Sequence, residues 1–417
     1  MARGREITAS EILAAGLRRA EALAGQPALQ ARLLNTIGHV HFSLGQYAQA
    51  KAVAERALAA SRGAFGDAHP DVGRDHRLLG LALGATGQPA EAVASLRTAL
   101  AIHQAAFGDD SLQVAADRHD LGYALARSGA VDEAERQVEA SLARRRALLG
   151  PVHEDVAMSL SGLAYVRGLR GRPREAVALY REALAVRLAR LGESHPEVAR
   201  ARQNLAVALT TTGDYDEAAA QFERTLAVYR VAYGAAHPSI AATLNNMGRL
   251  ETQRGAHARA ADLMRESLAM RVALLGPSHP ATRLTRANLA AVLSRLHRYA
   301  EAEALLRRVL ADSEGGAGRP TTLRNLADVL RSQRRLREAE ATARQALALD
   351  DDPLGRASTF SVLGRILTAL GRYDEARAFL QQALDLRRER LGDRHPNVAR
   401  TRGYLDAIPD RRPRATR

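Results

Sequence analysis

Leu191-Gly192-Glu193-Ser194-His195-Pro196 is the stretch from which the organisation of this 417-residue chain can be read. Its frame is an apolar residue, Gly, two variable residues and His-Pro. The frame begins at Phe65, Phe107, Leu149, Leu191, Tyr233 and Leu275, each 42 residues after the last. The full pair stands at His69-Pro70, His195-Pro196, His237-Pro238 and His279-Pro280, and once more at His395-Pro396 after Leu391-Gly392; the Phe107 and Leu149 copies keep the Gly and lose the Pro. Self-similarity at a period of roughly 20–50 residues marks a stacked array, in which length adds units rather than enlarging one core.

One period, from Leu191 to Ala232, reads as a helical hairpin. Gly192 follows an apolar-periodic run and suits the left-handed conformation that ends a helix. Pro196 fits the first turn of the next helix, where its missing N–H costs nothing. Val198, Ala201, Leu205 and Leu209 fall at helical spacing and predict one buried stripe. Gly213 breaks that helix, and Asp214-Tyr215-Asp216-Glu217 opens a second one with acids at its positive end. Ala218, Phe222, Leu226 and Tyr229 carry the inward face until Gly234 stops it.

Counting from this frame exposes two columns of small residues. On the second helix the column is Ala50, Ala92, Ala134, Ala176, Ala218, Ala260, Ala302, Ala339 and Ala376. On the first it is Gly38, Gly80, Gly122, Ala164, Ala206, Gly248, Ala290, Ala327 and Gly364, each after an apolar residue. Here the sequence resembles the tetratricopeptide repeat (TPR) family, and its 42-residue period with the Leu-Gly-x-x-His-Pro connector resembles the kinesin light chain subtype, which bacterial signalling proteins also use. The resemblance runs over about residues 30–407 and departs at the ends, where no long heptad coiled coil precedes the array. It implies an all-α fold: a right-handed superhelical solenoid of nine helical hairpins with a capping helix at each end.

The expected organisation is a half-repeat capping helix in 1–29, seven repeats in 30–315, two with shortened connectors in 316–395, a second capping helix in 396–407 and a basic, disordered tail in 408–417. The shortening shows in the 37-residue steps from Asn288 to Asn325 and from Asn325 to Val362. Its first site, Ser313 to Pro320, is glycine-rich and reads as a trimmed loop or a hinge. The turn glycine is replaced by His297 and Arg334 in two repeats.

The formal net charge is +14, with Lys51 the sole lysine. An arginine excess of this kind attracts acidic partners, or else reflects a GC-rich genome and solvated helix faces. The chain has no cysteine, which excludes disulfides and thiolate zinc sites and fits a cytoplasmic location. No apolar run reaches the length of a membrane span, and Met1-Ala2-Arg3-Gly4-Arg5 does not open a signal peptide.

No catalytic constellation is visible: no phosphate loop, H-E-x-x-H or G-x-S-x-G occurs, so neither an enzyme nor a cofactor is expected. The His-Pro histidines stand one repeat apart around connectors, unlike the short spacings from which metal ligands converge, and no metal is expected. Only 4% of residues are aromatic, too few for the stacking platforms of single-strand nucleic-acid binders.

The resemblance places the first helix of each repeat on a concave groove and marks the residue before the apolar-small pair as a groove position. That residue is asparagine in four consecutive repeats, Asn204, Asn246, Asn288 and Asn325. A side-chain amide both donates and accepts, so a ladder of amides can pair with the main chain of an extended peptide; the alternative is hydrogen bonding between adjacent helices. Arg200, Gln203, Asn245, Arg249, Gln253, Arg295, Arg324 and Arg331 are expected around it, with Asp328 as the one acid. The earlier repeats line the groove with Arg74, Leu78, Tyr123, Met158, Tyr165 and Leu169, a more apolar set. These residues predict a non-catalytic scaffold for a protein or peptide partner, most favourably an extended acidic segment or a carboxylate held by arginine forks. Recruitment to a separately encoded kinase or nucleotide switch is the alternative, and nucleic-acid binding is the less favoured one. Partner identity and oligomeric state have no signal in the sequence.

Overall fold

The computed structural model describes residues 9–312, 318–393 and 395–409. The hinge reading at 313–317 and most of the basic tail, 410–417, lie outside the described residues. Two compact bodies divide the chain at Val228 and Tyr229. Among the described residues all regular structure is helical, and the helices alternate as the frame predicts.

In the N-terminal body a lone helix, α1 (Ala9–Ala22), is followed by the hairpins α2 (Pro27–Ser43) with α3 (Tyr47–Phe65), α4 (Pro70–Ala85) with α5 (Pro89–Phe107), α6 (Leu112–Ser128) with α7 (Val131–Leu149) and α8 (Glu154–Leu169) with α9 (Pro173–Leu191). Then come α10 (Pro196–Thr212) and α11 (Tyr215–Tyr233), in which the division falls. The C-terminal body continues with α12 (Pro238–Gln253) and α13 (His257–Leu275), α14 (Pro280–Arg295) and α15 (Tyr299–Ala311), α16 (Arg319–Ser332) and α17 (Leu336–Ala348), α18 (Pro353–Ala369) and α19 (Tyr373–Leu391), and ends on the single helix α20 (Pro396–Asp406).

Each body is cored along its own length. Leu96, Leu121, Leu125 and Leu160 pack together in the N-terminal body, and Leu293, Leu330, Leu363 and Ile366 in the C-terminal one, all nearly or fully excluded from solvent. The small-residue columns make this packing possible. A Cβ on Gly80 would lie 2.6 Å from Leu96 Cγ, and one on Gly38 would lie 2.7 Å from Leu78 Cδ2. Neither distance is compatible with van der Waals contact, so each glycine is the space into which the facing side chain packs.

The connectors show what the repeating histidine does. His69, His153, His195, His237, His279 and His395 are each the N-cap of the following helix, with Nδ1 accepting the backbone N–H two residues on. Those bonds measure 3.1–3.2 Å. Ser111 takes the same place before α6 with its hydroxyl, in the copy that lacks the histidine. A helix start leaves its first N–H groups without intrahelical acceptors, and an acceptor at this position satisfies one of them. His297 and Arg334, which replace turn glycines, adopt positive φ values of 60° and 64°. The hairpin geometry therefore forces two side-chain-bearing residues into a region that favours glycine.

Candidate functional site

In the C-terminal body, α12, α14 and α16 present Asn246, Asn288 and Asn325 at equivalent turns, each half-buried. Among the described residues the amides of Asn246 and Asn325 make no hydrogen bond. Asn288 Nδ2 donates to Asn245 Oδ1 at 3.2 Å, so this amide ties two first helices together and keeps its own oxygen. Asn245 is only 4% exposed, which removes it from the open face on which the sequence placed it. One residue along a helix turns the side chain by about 100°, enough to carry it from the open face into the packed seam.

The arginines divide in the same way. Arg249 and Arg295 are exposed and have no ion pair among the described residues, and Gln253 is exposed four residues after Arg249 on α12. Arg324 is half-buried: it donates to Gly355 O at 3.4 Å and to Thr321 Oγ1 at 3.2 Å, and lies 3.6 Å from Asp350. Burial lowers its guanidinium from the usual arginine range, against the raising effect of Asp350 and Asp352. Arg331 Nε donates to Asp328 Oδ1 at 2.9 Å.

In the N-terminal body, Arg200, Gln203 and Asn204 from α10 come together with Met158 and Tyr165 from α8, His119 and Tyr123 from α6 and Tyr180 from α9. They line a cavity of about 440 Å³. The Tyr123 and Tyr165 rings meet at 5.4 Å. Burial raises the Tyr180 phenol above its ordinary range, with the two neighbouring tyrosines adding to the shift. Asn204 makes no hydrogen bond among the described residues, while Arg200 Nε donates to Glu197 at 2.9 Å. The cavity opens where Gly162 holds the ladder position and offers no side chain; a Cβ there would lie 2.9 Å from the His119 ring. One hairpin earlier the same position is Asp120, locked to Arg77 Nε at 2.6 Å. Leu78, expected on the groove, is instead fully buried and fills the space over Gly38. Arg74 pairs with Asp71 at 2.9 Å, and Leu169 is 48% exposed.

Sequence reasoning missed a recurring polar tie between one hairpin's second helix and the next hairpin's first. Arg145 Nη1 donates to Asp155 O and Ser159 Oγ. Arg271 Nη1 donates to Ala281 O and Thr285 Oγ1, and Arg387 Nη1 to Asn397 O and Thr401 Oγ1. The spacings of ten and fourteen residues are the same in all three. At the same register His103 Nδ1 meets Asp117 Oδ2 at 2.5 Å, whereas Ser61 donates to Leu58 O in its own helix and Arg187 donates to Glu154 and Ser161. Residue types and partners both change along this register, so the tie has no fixed signature in the sequence.

The tetratricopeptide repeat profile matches overlapping windows over residues 29–315, and related profiles of the same repeat match residues 322–357 and 356–397. The chain belongs to the tetratricopeptide repeat family. Among solved structures, nearly identical TPR-like repeats from Podosopora anserina, described as those of a kinesin light chain, are 26% identical. That alignment covers 47% of this chain and 92% of that one at a TM-score of 0.41. BtubC (BKLC) from P. vanneervenii is 23% identical over 53% of this chain and 89% of that one, at a TM-score of 0.45. The apo form of RapI aligns over 86% of this TPR chain and 98% of its own at 11% identity and a TM-score of 0.56, a likeness of fold. No curated protein matches the chain. Among the described residues no helix is long and apolar enough to cross a membrane.

Proposed function

We propose that this TPR chain is a non-catalytic interaction scaffold whose first-helix face in the C-terminal body binds an extended, acidic peptide segment. Membership of the TPR family supports the scaffold role. The observation that carries the finer reading is the set of unengaged polar groups on one face. Asn246 and Asn325 keep both amide functions free among the described residues, Asn288 keeps its oxygen, and Arg249 and Arg295 are exposed without a carboxylate. Amides of this kind pair with a peptide's main chain, and unpaired guanidinium groups favour carboxylates beside it. Asn204, Arg200 and Gln203 line the separate tyrosine-walled cavity of the N-terminal body, which suits a larger side chain.

The test is fluorescence anisotropy with a fluorescein-labelled (Ala-Glu)5 peptide as the acidic probe. Asn246→Ala with Asn325→Ala is expected to weaken binding by roughly tenfold, two modest hydrogen bonds, with thermal unfolding unchanged. Asn288 is left intact because its amide also serves Asn245. Unchanged affinity in the double variant refutes the ladder. A steep log–log salt slope on random-sequence duplex DNA, with no ladder dependence, would favour nucleic acid instead.

A further inference from the structure

Four first helices of the C-terminal body, α12, α14, α16 and α18, carry two carboxylates between them, Glu251 and Asp328. Glu251 is buried and lies 3.6 Å from Arg254 and 3.7 Å from Arg259, on the side that faces α13. Asp328 is half-exposed and belongs to the binding face: it occupies the register of Arg249, Ala291 and Arg365, three residues after the asparagine ladder.

Two guanidinium groups converge on one oxygen of Asp328. Arg331 Nε, from the same helix, donates to Oδ1 at 2.9 Å, and Arg365 Nη1, from α18, lies 3.0 Å from the same atom. Arg365 is also placed over the Tyr404 ring of α20, 5.0 Å from its centre. Two arginine forks fixed by neighbouring helices around one carboxylate oxygen make up an acid-binding subsite, and here the acid is supplied by the chain itself. The ladder turns apolar at the same step, since Val362 follows Asn325 in register.

We propose that Asp328 is an internal carboxylate filling the Arg331–Arg365 subsite, and that it sets the point along this face beyond which an acidic partner is not held. This rests on the acidic-segment reading above. Arg249 and Arg295, which lack such an internal acid among the described residues, take the partner's carboxylates. At Asp328 a further partner acid meets a like charge and two guanidinium groups already engaged.

Asp328→Asn keeps the shape and an acceptor oxygen and removes the charge. The variant is expected to bind the labelled (Ala-Glu)5 peptide roughly fivefold to tenfold more tightly at low salt, and to lose affinity more steeply between about 50 and 200 mM NaCl, because two more cations become available to the probe. Arg365→Ala in the same background is expected to cancel the gain. Asp262→Asn is the control: it removes the same charge from α13, where Asp262 pairs with Arg265 at 2.8 Å, and is expected to leave the affinity unchanged. Equal or weaker binding by Asp328→Asn, an unchanged salt slope, or the same gain from Asp262→Asn overturns the proposal. Loss of thermal stability without a change in salt slope also overturns it, by making Asp328 a tie between helices and nothing more. Failure of the acidic-segment reading shows separately, as wild-type binding that is indifferent to Asn246→Ala with Asn325→Ala. Absence of probe binding by wild type and Asp328→Asn alike overturns both.

Discussion

Thr285→Val should destabilise the C-terminal body more than Arg271→Met, although the second change removes the larger side chain. Arg271 is 6% exposed and donates from Nη1 to Ala281 O and to Thr285 Oγ1, each at 2.7 Å. No carboxylate pairs with it among the described residues, its Nε makes no hydrogen bond there, and burial lowers its guanidinium from the usual arginine range. Thr285, fully buried, also donates to Ala281 O at 3.1 Å. Valine keeps the shape of Thr285 but deprives a buried cation of one acceptor, which costs about 1.5–3 kcal/mol for a hydrogen bond to a charged group. Methionine at 271 instead removes the cation and its desolvation cost, while the Thr285 hydroxyl keeps Ala281 O. That exchange is expected to lie between neutral and about 1 kcal/mol stabilising, as when buried ions give way to apolar residues of similar length. In the double variant the valine change should then cost under about 1 kcal/mol, since no cation is left to orphan. Each hairpin packs on its neighbours alone, so the readout is amide hydrogen exchange along α13 and α14 alongside urea unfolding. Arg271→Met costing as much as Thr285→Val, or more, would refute the reasoning and make the arginine a net contributor.

Two other outcomes follow from local strain and burial. Arg334→Gly, at an exposed turn with φ 64°, should raise stability by about 0.5–1 kcal/mol, because relief of the left-handed strain exceeds glycine's greater unfolded-chain entropy; a lower urea midpoint would contradict it. His119, pushed down to about 4 by burial, stays neutral in the folded N-terminal body while the unfolded chain takes up a proton from near 6.5 downward. Its contribution is therefore complete above pH 6.5 and lost as pH falls toward 4, up to about 3 kcal/mol relative to His119→Gln. Asp75, pushed up to about 6 by burial, acts with the opposite sign, gaining stability as pH falls from 6 toward 4. The measurement is therefore the difference between wild type and His119→Gln in urea midpoints across pH 4–7, and a flat difference would sink the assignment.

The helix pattern was legible because it is encoded in backbone chemistry. Pro196, Gly213 and Gly192 act through φ, whatever surrounds them, and a 42-residue ruler then locates Gly80 and Ala92 without tertiary information. What one side chain does against another was less legible. Leu78 stands at the ladder register and Asn245 one residue before it, yet both are buried between neighbouring helices, which periodicity alone does not resolve. The His-Pro histidines are legible in the sequence as connector residues, but their use of Nδ1 as a cap acceptor needed coordinates. The Arg145, Arg271 and Arg387 ties stayed hidden because their register holds Ser61 and His103 in other hairpins. Asp328 stands out in the sequence as the one acid among arginines; its two partners, one of them from the next first helix, emerge only from packing.

The second helices are linked by a row of ion pairs with consequences for elasticity. Arg97 reaches Glu133 at 2.8 Å and Arg181 reaches Glu217 at 2.6 Å in the N-terminal body; Arg307 reaches Glu338 at 2.9 Å in the C-terminal one. These bonds are exposed and screened by salt, whereas the contact of Gly38 in α2 with Leu78 in α4 is uncharged and indifferent to it. In the N-terminal body the first two hairpins thus meet at a neutral pivot, while later second helices are joined by charged struts. Rising ionic strength is expected to slacken the struts and leave the pivot unaltered, so the spacing of the second helices is the part of the stack that responds to the surrounding electrolyte.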